Sequence, residues 1–137
     1  MSFSNISFIL HKPQLSENIG ACARAIKNFN FNKLIIVNPK PLFPNDQILA
    51  TSVGAKEIIK GSKVYNKLEH AIKKVDFVIA TSSRSRNKNI KHIKLNDFDF
   101  KKKLVFYLVQ KLQVYLIMKL VMLTVQCKFH QILSLNL

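Results

Sequence analysis

The sequence has little cysteine, and it lacks the short motifs that mark common metal and nucleotide sites. Its two cysteines, Cys22 and Cys127, are too few for a disulfide framework. They also show no metal-ligand spacing with each other or with the four histidines, so no metal site is predicted. Neither a Gly-x-Gly-x-x-Gly segment nor a Walker-type loop occurs, and there is no internal repeat. No signal peptide opens the chain, which predicts a reducing, cytoplasmic environment.

Acidic residues are also scarce. The 137 residues include 7 Asp or Glu against 22 Lys or Arg, a net charge of +15. This length indicates one domain, and this charge predicts affinity for a polyanion such as RNA, DNA or an anionic membrane. Arginine is rare among the basic residues and is confined to Arg24, Arg84 and Arg86. Lysine therefore supplies the generic surface charge, and the position of each arginine is informative.

Apolar runs that alternate with helical patterns indicate an α/β fold, a mostly parallel sheet with helices on both faces. The runs at 34–37 and 77–80 are continuously apolar, as expected of buried parallel strands. Strands are predicted at 6–11, 34–37, 77–80 and 104–106, with a short one at Val64, and helices at 18–29, at 46–59 with a break at Gly54, and at 68–75.

Ligands of such sheets bind at the carboxyl ends of the strands. Asn38 follows the second predicted strand, and Thr81, Ser82 and Ser83 follow the run at 77–80. We therefore expect these polar residues on the ligand side of the molecule.

The first predicted helix carries one arginine on a small-residue surface. Asn18 is a good N-cap, and Arg24 lies one turn after Gly20 and Ala21. A bare strip of this kind lets a ribose or phosphate approach the backbone beneath the guanidinium. Two plainer interpretations stay open: a purely capping role for Asn18 and a simple surface position for Arg24.

A basic run follows the predicted strand at 77–80. Eight Lys or Arg residues lie between Arg84 and Lys103, against Asp97 and Asp99. The run is either a solvated loop or a loop that tracks phosphates. On the second interpretation the candidate RNA-binding residues are Arg84, Arg86, Lys88 and Lys91.

Three segments in order resemble one family. They are Asn-Ile-Gly-Ala-Cys-Ala-Arg at 18–24, Leu-Ile-Ile-Val-Asn-Pro at 34–39 and Ala-Thr-Ser-Ser-Arg-Ser-Arg at 80–86. Together they are similar to the SpoU/TrmH family of RNA ribose methyltransferases, particularly its TrmJ-like branch. The resemblance implies an alpha/beta-knot fold, a homodimer, S-adenosylmethionine as cofactor, and methyl transfer to a ribose 2′-hydroxyl of RNA, with tRNA favoured over rRNA.

The same resemblance implies roles for individual residues. Arg24 matches the family's catalytic arginine, and Asn18 matches the asparagine that orients the site. Thr81, Ser82 and Ser83 match the loop that touches the cofactor. Because the guanidinium of an arginine stays protonated in proteins, stabilisation of a developing alkoxide suits it better than proton abstraction.

The resemblance stops after the strand at 104–106. The family's two later motifs do not follow in order, and 107–137 contains no acidic residue, glycine or proline. Part of the missing pattern can be spelled in a shifted reading frame, where Met118-Lys119 encodes a glutamate. We therefore expect 1–106 to be the N-terminal part of a SpoU-type methyltransferase domain. We expect 107–137 to be an aberrant, out-of-frame apolar tail, with the knot lost and activity impaired.

Two alternatives remain. One is a non-catalytic, basic RNA-binding remnant. The other is a membrane-associated segment over 104–125, although Gln110, Lys111, Gln113 and Lys119 interrupt it at a substantial insertion cost. We expect no membrane partner.

Overall fold

The computed structural model describes residues 4–80 and 104–109. Five strands and four helices lie within these ranges, arranged in the alternating order that the sequence predicts. They are β1 (Ile6–His11), α1 (Ser16–Asn28), β2 (Leu34–Val37), α2 (Asp46–Thr51), α3 (Lys56–Gly61), β3 (Lys63–Tyr65), α4 (Leu68–Ile72), β4 (Phe77–Ala80) and β5 (Leu104–Val109).

The five described strands form one sheet in the order β3-β2-β1-β5-β4, and neighbouring strands run parallel. The first strand is central, with His11 paired to Val37 on one side and to Val109 on the other. Since the strands are parallel, all their carboxyl ends meet at one edge of the sheet. We call this the carboxyl edge.

Helices cover both faces of the sheet, which confirms the predicted α/β fold. Alternate residues of β1 point to opposite faces: Ile6, Phe8 and Leu10 belong to the larger core with α1–α3. Ile9 belongs to the smaller core beneath α4. The ring of Phe8 meets that of Phe31 edge-on, with centroids 5.1 Å apart. We call the two sides of the sheet the α1 face and the α4 face.

The strand predictions are confirmed in position, and one prediction of burial is wrong. Phe77 and Val78, predicted to be buried, are 40% and 44% exposed. The reason is the position of β4, which is the last strand in the described order. A strand at the end of a sheet is covered less completely than a central one. Ile79 still packs against the larger core.

Helix boundaries differ more from the prediction. α1 begins at Ser16, so Asn18 is not the N-cap; Leu15 holds that position without a side-chain hydrogen bond. The break predicted at Gly54 within the helix at 46–59 is confirmed, because α2 and α3 are separated by a turn that contains Gly54 at φ 76°. Such a positive φ suits glycine. α4 ends at Ile72, three residues before the predicted end.

Several predictions concern residues outside the described ranges. Thr81, Ser82 and Ser83, the basic run at 84–103 with Arg84, Arg86, Lys88 and Lys91, and most of the tail at 107–137 all fall there, as does the predicted loss of the knot. β5 contains the strand predicted at 104–106 and continues to Val109. No helix in the described part of the chain is long and apolar enough to cross a membrane.

Candidate functional site

The start of α1 is held in place by Asn45, which contacts three separate segments. Its Nδ2 group donates to Ser16 Oγ at 2.9 Å and to the Leu42 carbonyl oxygen at 2.9 Å. Its Oδ1 atom accepts from the Ile48 backbone N–H at 2.8 Å, which caps α2. Tertiary contact with buried Ser16 therefore sets where α1 begins.

Further contacts fix α1 against the next two helices. Gln47 donates to the Glu17 carboxylate at 2.6 Å. Lys27 forms an ion pair with Glu57, whose pKa it lowers mainly by hydrogen bonding. The helix is thereby attached at its first and last turns.

Gly20 lies at the contact between α1 and α2. A Cβ atom built on it would lie 2.1 Å from Thr51 Oγ1, 2.8 Å from the Thr51 carbonyl carbon and 2.9 Å from the Ile48 oxygen. The sequence-based interpretation of Gly20 as a strip open to a ligand is therefore wrong. Its missing side chain makes room for α2.

Ala21, unlike Gly20, lies on a part of α1 that is partly open to solvent. Asn18, Ala21 and Arg24 follow each other at three-residue intervals, so they form one ridge along α1. Asn18 and Ala21 are half-buried, and Arg24 is exposed. The two polar residues are about 9 Å apart along the helix axis, with only a methyl group between them. Because helical side chains lean toward the N-terminus, the Arg24 side chain can extend over Ala21 toward Asn18. We call this the α1 ridge.

The α1 ridge begins near the carboxyl edge, because only four residues separate His11 from Ser16. β4 also ends toward this edge: Ala80 is paired with Tyr107, which is paired with Ile9 of β1. Thr81 is the next residue along the chain. The register therefore brings the end of β4 to the edge where α1 begins, and Thr81, Ser82 and Ser83 lie outside the described ranges.

Asn38 also lies at the carboxyl edge, as predicted. It follows β2 at φ 48°, and Lys12 follows β1 at φ 50°, so both strands end in a left-handed turn. The two residues line a cavity of about 670 Å³, which we call the carboxyl-edge cavity. Its full lining is His11, Lys12, Asn38, Asn66, Lys67, Leu68, Glu69 and His70.

The sequence predicts no metal site for the histidines and assigns them no other role, yet His11 and His70 line this cavity together. Partial burial lowers the pKa of His11, the Lys12 charge lowers it further, and the Glu69 carboxylate opposes both. No spacing rule connects residues so far apart in sequence. The rule that parallel strands share a carboxyl edge could have placed His11 there.

Cys22 takes no part in the chemistry. It is buried in the larger core, as its alanine-rich helix predicts, and burial raises its pKa to about 12. A thiol with that pKa is not a nucleophile near neutral pH. Among the described residues, no group of three or more His, Cys, Asp or Glu side chains is placed to hold a metal ion.

A parallel sheet that gathers a polar helix start and a basic cavity at its carboxyl edge defines an α/β ligand-binding domain. Comparison with known proteins narrows this class. The model of the SpoU rRNA methylase family matches residues 5–108, so the chain belongs to that family.

Relatives at the sequence level carry tRNA methyltransferase names. The chain is 42% identical over 89 residues to the tRNA (cytidine-2′-O-)-methyltransferase TrmJ of Methanocaldococcus jannaschii, which covers 64% of this chain and 38% of the relative. It is 34% identical over 82 residues to the tRNA (cytidine/uridine-2′-O-)-methyltransferase TrmJ of Pectobacterium atrosepticum, covering 60% and 34% of the two chains. The chain thus matches little more than a third of the length of each relative.

Solved structures share the fold. TrmJ from Z. mobilis superposes with a TM-score of 0.71 at 19% identity, over 86% of this chain and 67% of the other. The SpoU methyltransferase AviRb from Streptomyces viridochromogenes, in complex with AdoMet, gives 0.59 at 12% identity over 77% and 42%. The predicted alpha/beta methyltransferase architecture is therefore confirmed for the described sheet and helices.

Proposed function

We propose that the protein transfers a methyl group from S-adenosylmethionine to a ribose 2′-hydroxyl of RNA, with tRNA favoured over rRNA. Family membership, the names of the TrmJ relatives and the AdoMet complex of AviRb support this activity. The observation that carries it in this chain is the α1 ridge, which begins at the same carboxyl edge of the sheet toward which β4 ends, with β5 between β4 and β1.

The proposed cofactor site consists of Thr81, Ser82 and Ser83, whose hydroxyl and backbone N–H groups suit a polar ligand at a strand end. S-adenosylmethionine, when bound, supplies an electrophilic methyl group. The position of β4 is compatible with such a site, because the register of β4 brings Ala80, the residue before Thr81, toward the carboxyl edge. The basic run with Arg84, Arg86, Lys88 and Lys91 remains the proposed RNA-binding continuation of this segment.

The α1 ridge supplies the other half of the site. A ribose hydroxyl is a weak nucleophile, so charge that develops on its oxygen as the proton leaves must be stabilised. We assign that role to the Arg24 guanidinium, a permanent cation that is exposed at the surface. Asn18 is proposed to orient the ribose through its amide. Ala21 leaves the space in which both side chains can approach the same sugar.

The substitution Arg24→Ala tests this assignment. It should lower the transfer of tritiated methyl groups from S-adenosylmethionine to a tRNA transcript by about 10²–10³-fold, in line with the loss of one preorganised stabilising group. Arg24→Lys should recover part of the rate, since it keeps the charge and loses the planar fork. Resistance of the methylated position to alkaline cleavage identifies the 2′-oxygen as the acceptor.

Lys56→Ala is the matched control, because Lys56 is an exposed cation on a different helix, α3. Its transfer rate should equal that of the unmodified chain. Equal rates for Arg24→Ala and the unmodified chain would refute the role of Arg24. If the unmodified chain binds tRNA and transfers no methyl group, the alternative of a non-catalytic RNA-binding remnant is correct.

The division of the chain is also a proposal: 1–106 as the N-terminal part of the methyltransferase domain and 107–137 as an out-of-frame tail. Sequencing the gene from the codon of Lys101 onward tests it, since the missing family motifs should be encoded in another frame. We further propose a homodimer, to be checked by sedimentation, and a cytoplasmic location.

A further inference from the structure

The α4 face of the sheet carries a second cavity next to the carboxyl-edge cavity. It has a volume of about 710 Å³ and opens near the amino ends of the strands, where Ser4 and Lys33 line it. Its floor includes Ile35 and Tyr65, which belong to the smaller core beneath α4. We call it the amino-edge cavity. His70 lines both cavities, so the two are neighbours along α4.

The lining of both cavities is strongly basic. Four lysines line the amino-edge cavity and two line the carboxyl-edge cavity, against one acidic side chain, Glu69. The six are Lys12, Lys33, Lys63, Lys67, Lys73 and Lys74. Asp76 follows α4 and lines neither cavity. We call these six residues, with the cavities between them, the lysine track.

The opposite side of the molecule has no such imbalance. The helices of the α1 face carry Glu17, Asp46 and Glu57 among their own basic residues, and Glu57 is paired with Lys27. The excess positive charge of the described residues is therefore concentrated on the α4 face. A one-sided field of this kind attracts and orients a polyanion.

The shape of the lysine track suits a strand of nucleic acid better than a flat membrane surface. β1 has six residues, so the sheet is about 20 Å long between its two edges. Two open cavities along that length form a concave path that admits the ridge of a nucleic-acid backbone.

We propose that the lysine track binds the phosphate backbone of the substrate RNA on one side of the nucleotide that is methylated. This inference rests on the proposed function, and one end of the track lies at the carboxyl edge, where α1 also begins. The contacts are to phosphates, so the track positions the RNA without reading its sequence. His70 adds a polar group where the two cavities adjoin, and Asn66 adds one in the carboxyl-edge cavity.

The double substitution Lys67→Gln with Lys74→Gln tests the track, because each residue is exposed and each lines a different cavity. Binding of a fluorescently labelled tRNA transcript, measured by anisotropy without cofactor over a series of KCl concentrations, should weaken about tenfold at low salt. The dependence of log Kd on log salt should lose about two units of slope, one for each phosphate contact.

The matched control is Lys56→Gln with Lys60→Gln, two exposed lysines of α3 on the α1 face. It removes the same charge and should change the salt slope much less. Lys67→Arg with Lys74→Arg keeps both charges and should retain tRNA binding. Equal thermal unfolding temperatures for the variants and the unmodified chain would show that the fold is intact.

Equal losses of tRNA affinity for the two glutamine pairs would refute the lysine track as a binding site, since net charge alone would then explain binding. If Lys67→Gln with Lys74→Gln leaves tRNA binding unchanged but abolishes co-sedimentation with phosphatidylserine vesicles, the proposal is wrong. The lysine track would then bind a membrane surface. Because the assay contains no cofactor, it reports on the track even if the chain transfers no methyl group. A failure of the proposed reaction is therefore distinguishable from a failure of the track.

Discussion

At the scale of single residues, Gly20 shows how one sequence feature can suggest the wrong partner. In the sequence, a glycine one turn before an arginine resembles a ligand-binding strip. In the structure, its Cα is covered by Thr51 and the Ile48 carbonyl group, and Ala21 is the small residue that faces outward beside Arg24. The glycine positions α1 against α2, and the alanine is the small residue on the ridge to which we assign the site.

Gly20→Ala should therefore destabilise the fold. The added methyl group would meet backbone atoms of α2 at 2.8 and 2.9 Å, and these cannot move without shifting the helix. Overpacking of this kind costs about 1–3 kcal/mol, more than the gain in helix propensity returns. The free energy of unfolding from urea denaturation measures the effect.

Gly61→Ala is the control, because a Cβ atom at Gly61 would meet nothing within 4 Å. It should change the free energy of unfolding by no more than about 0.5 kcal/mol. A similar loss for both variants would mean that backbone freedom, and not contact with α2, explains the effect of Gly20→Ala.

His11 should make stability depend on pH in a defined direction. Burial and Lys12 lower its pKa in the folded state, so the protonated form is better accommodated in the unfolded chain. The related stability is fully present above the unfolded pKa of about 6.5 and is lost as pH falls through the lower, folded value.

His11→Asn should consequently narrow the difference between the free energies of unfolding at pH 7.5 and at pH 5. Lys12→Gln should produce a smaller change in the same direction, since it removes only the second cause. Urea denaturation of both variants at the two pH values is the measurement. If the free energy of unfolding changes between pH 7.5 and pH 5 by the same amount in His11→Asn as in the unmodified chain, His11 is not the source of the pH dependence.

At the scale of helices and strands, continuous apolar runs predicted the strands well because each run is short and clearly bounded. The run at 34–37, for example, coincides with β2. Exposure was harder to predict: the sequence of β4 resembles that of a central strand, and only the order of strands places it last. The α1 ridge was predictable from its motif, whereas the grouping of His11 with His70 depends on how distant segments fold together.

The start of α1 shows the same limit. Asn18 has the chemistry of an N-cap, yet the helix begins earlier, because Asn45 holds Ser16 from another segment. No local pattern around Asn18 contains that contact. Asn45 itself could have been identified from its position directly before the helix at 46–51.

Asn45→Ala should lower the free energy of unfolding by about 1–2 kcal/mol, because it removes the cap of α2. It also removes both donor contacts, to Ser16 and to Leu42. Asn45→Asp should cost less, since a carboxylate still accepts from the Ile48 N–H. Equal losses for the two variants, in the same urea experiment, would show that the donor contacts dominate and that the cap contributes little.

At the scale of the whole molecule, we propose that the two faces of the sheet have different roles. The α1 face carries the ridge to which we assign the chemistry, packed against α2 and α3 with mixed charges. The α4 face carries the lysine track and a smaller core. The two faces meet at the carboxyl edge, so a single RNA strand can contact both there. The part of the positive charge that the described residues carry thus lies mainly on the α4 face.

The position of β1 in the middle of the sheet also determines the order in which the chain can assemble. Its pairing with β2 joins Phe8 to Leu34, whereas its pairing with β5 joins Ile6 to Leu104. Closing the longer loop costs more chain entropy, and such distant contacts slow folding. During synthesis, β1, α1 and β2 can associate early, while the other side of β1 stays unpaired until β5 has been made. The central strand of the finished sheet is therefore, for part of its synthesis, an unpaired edge.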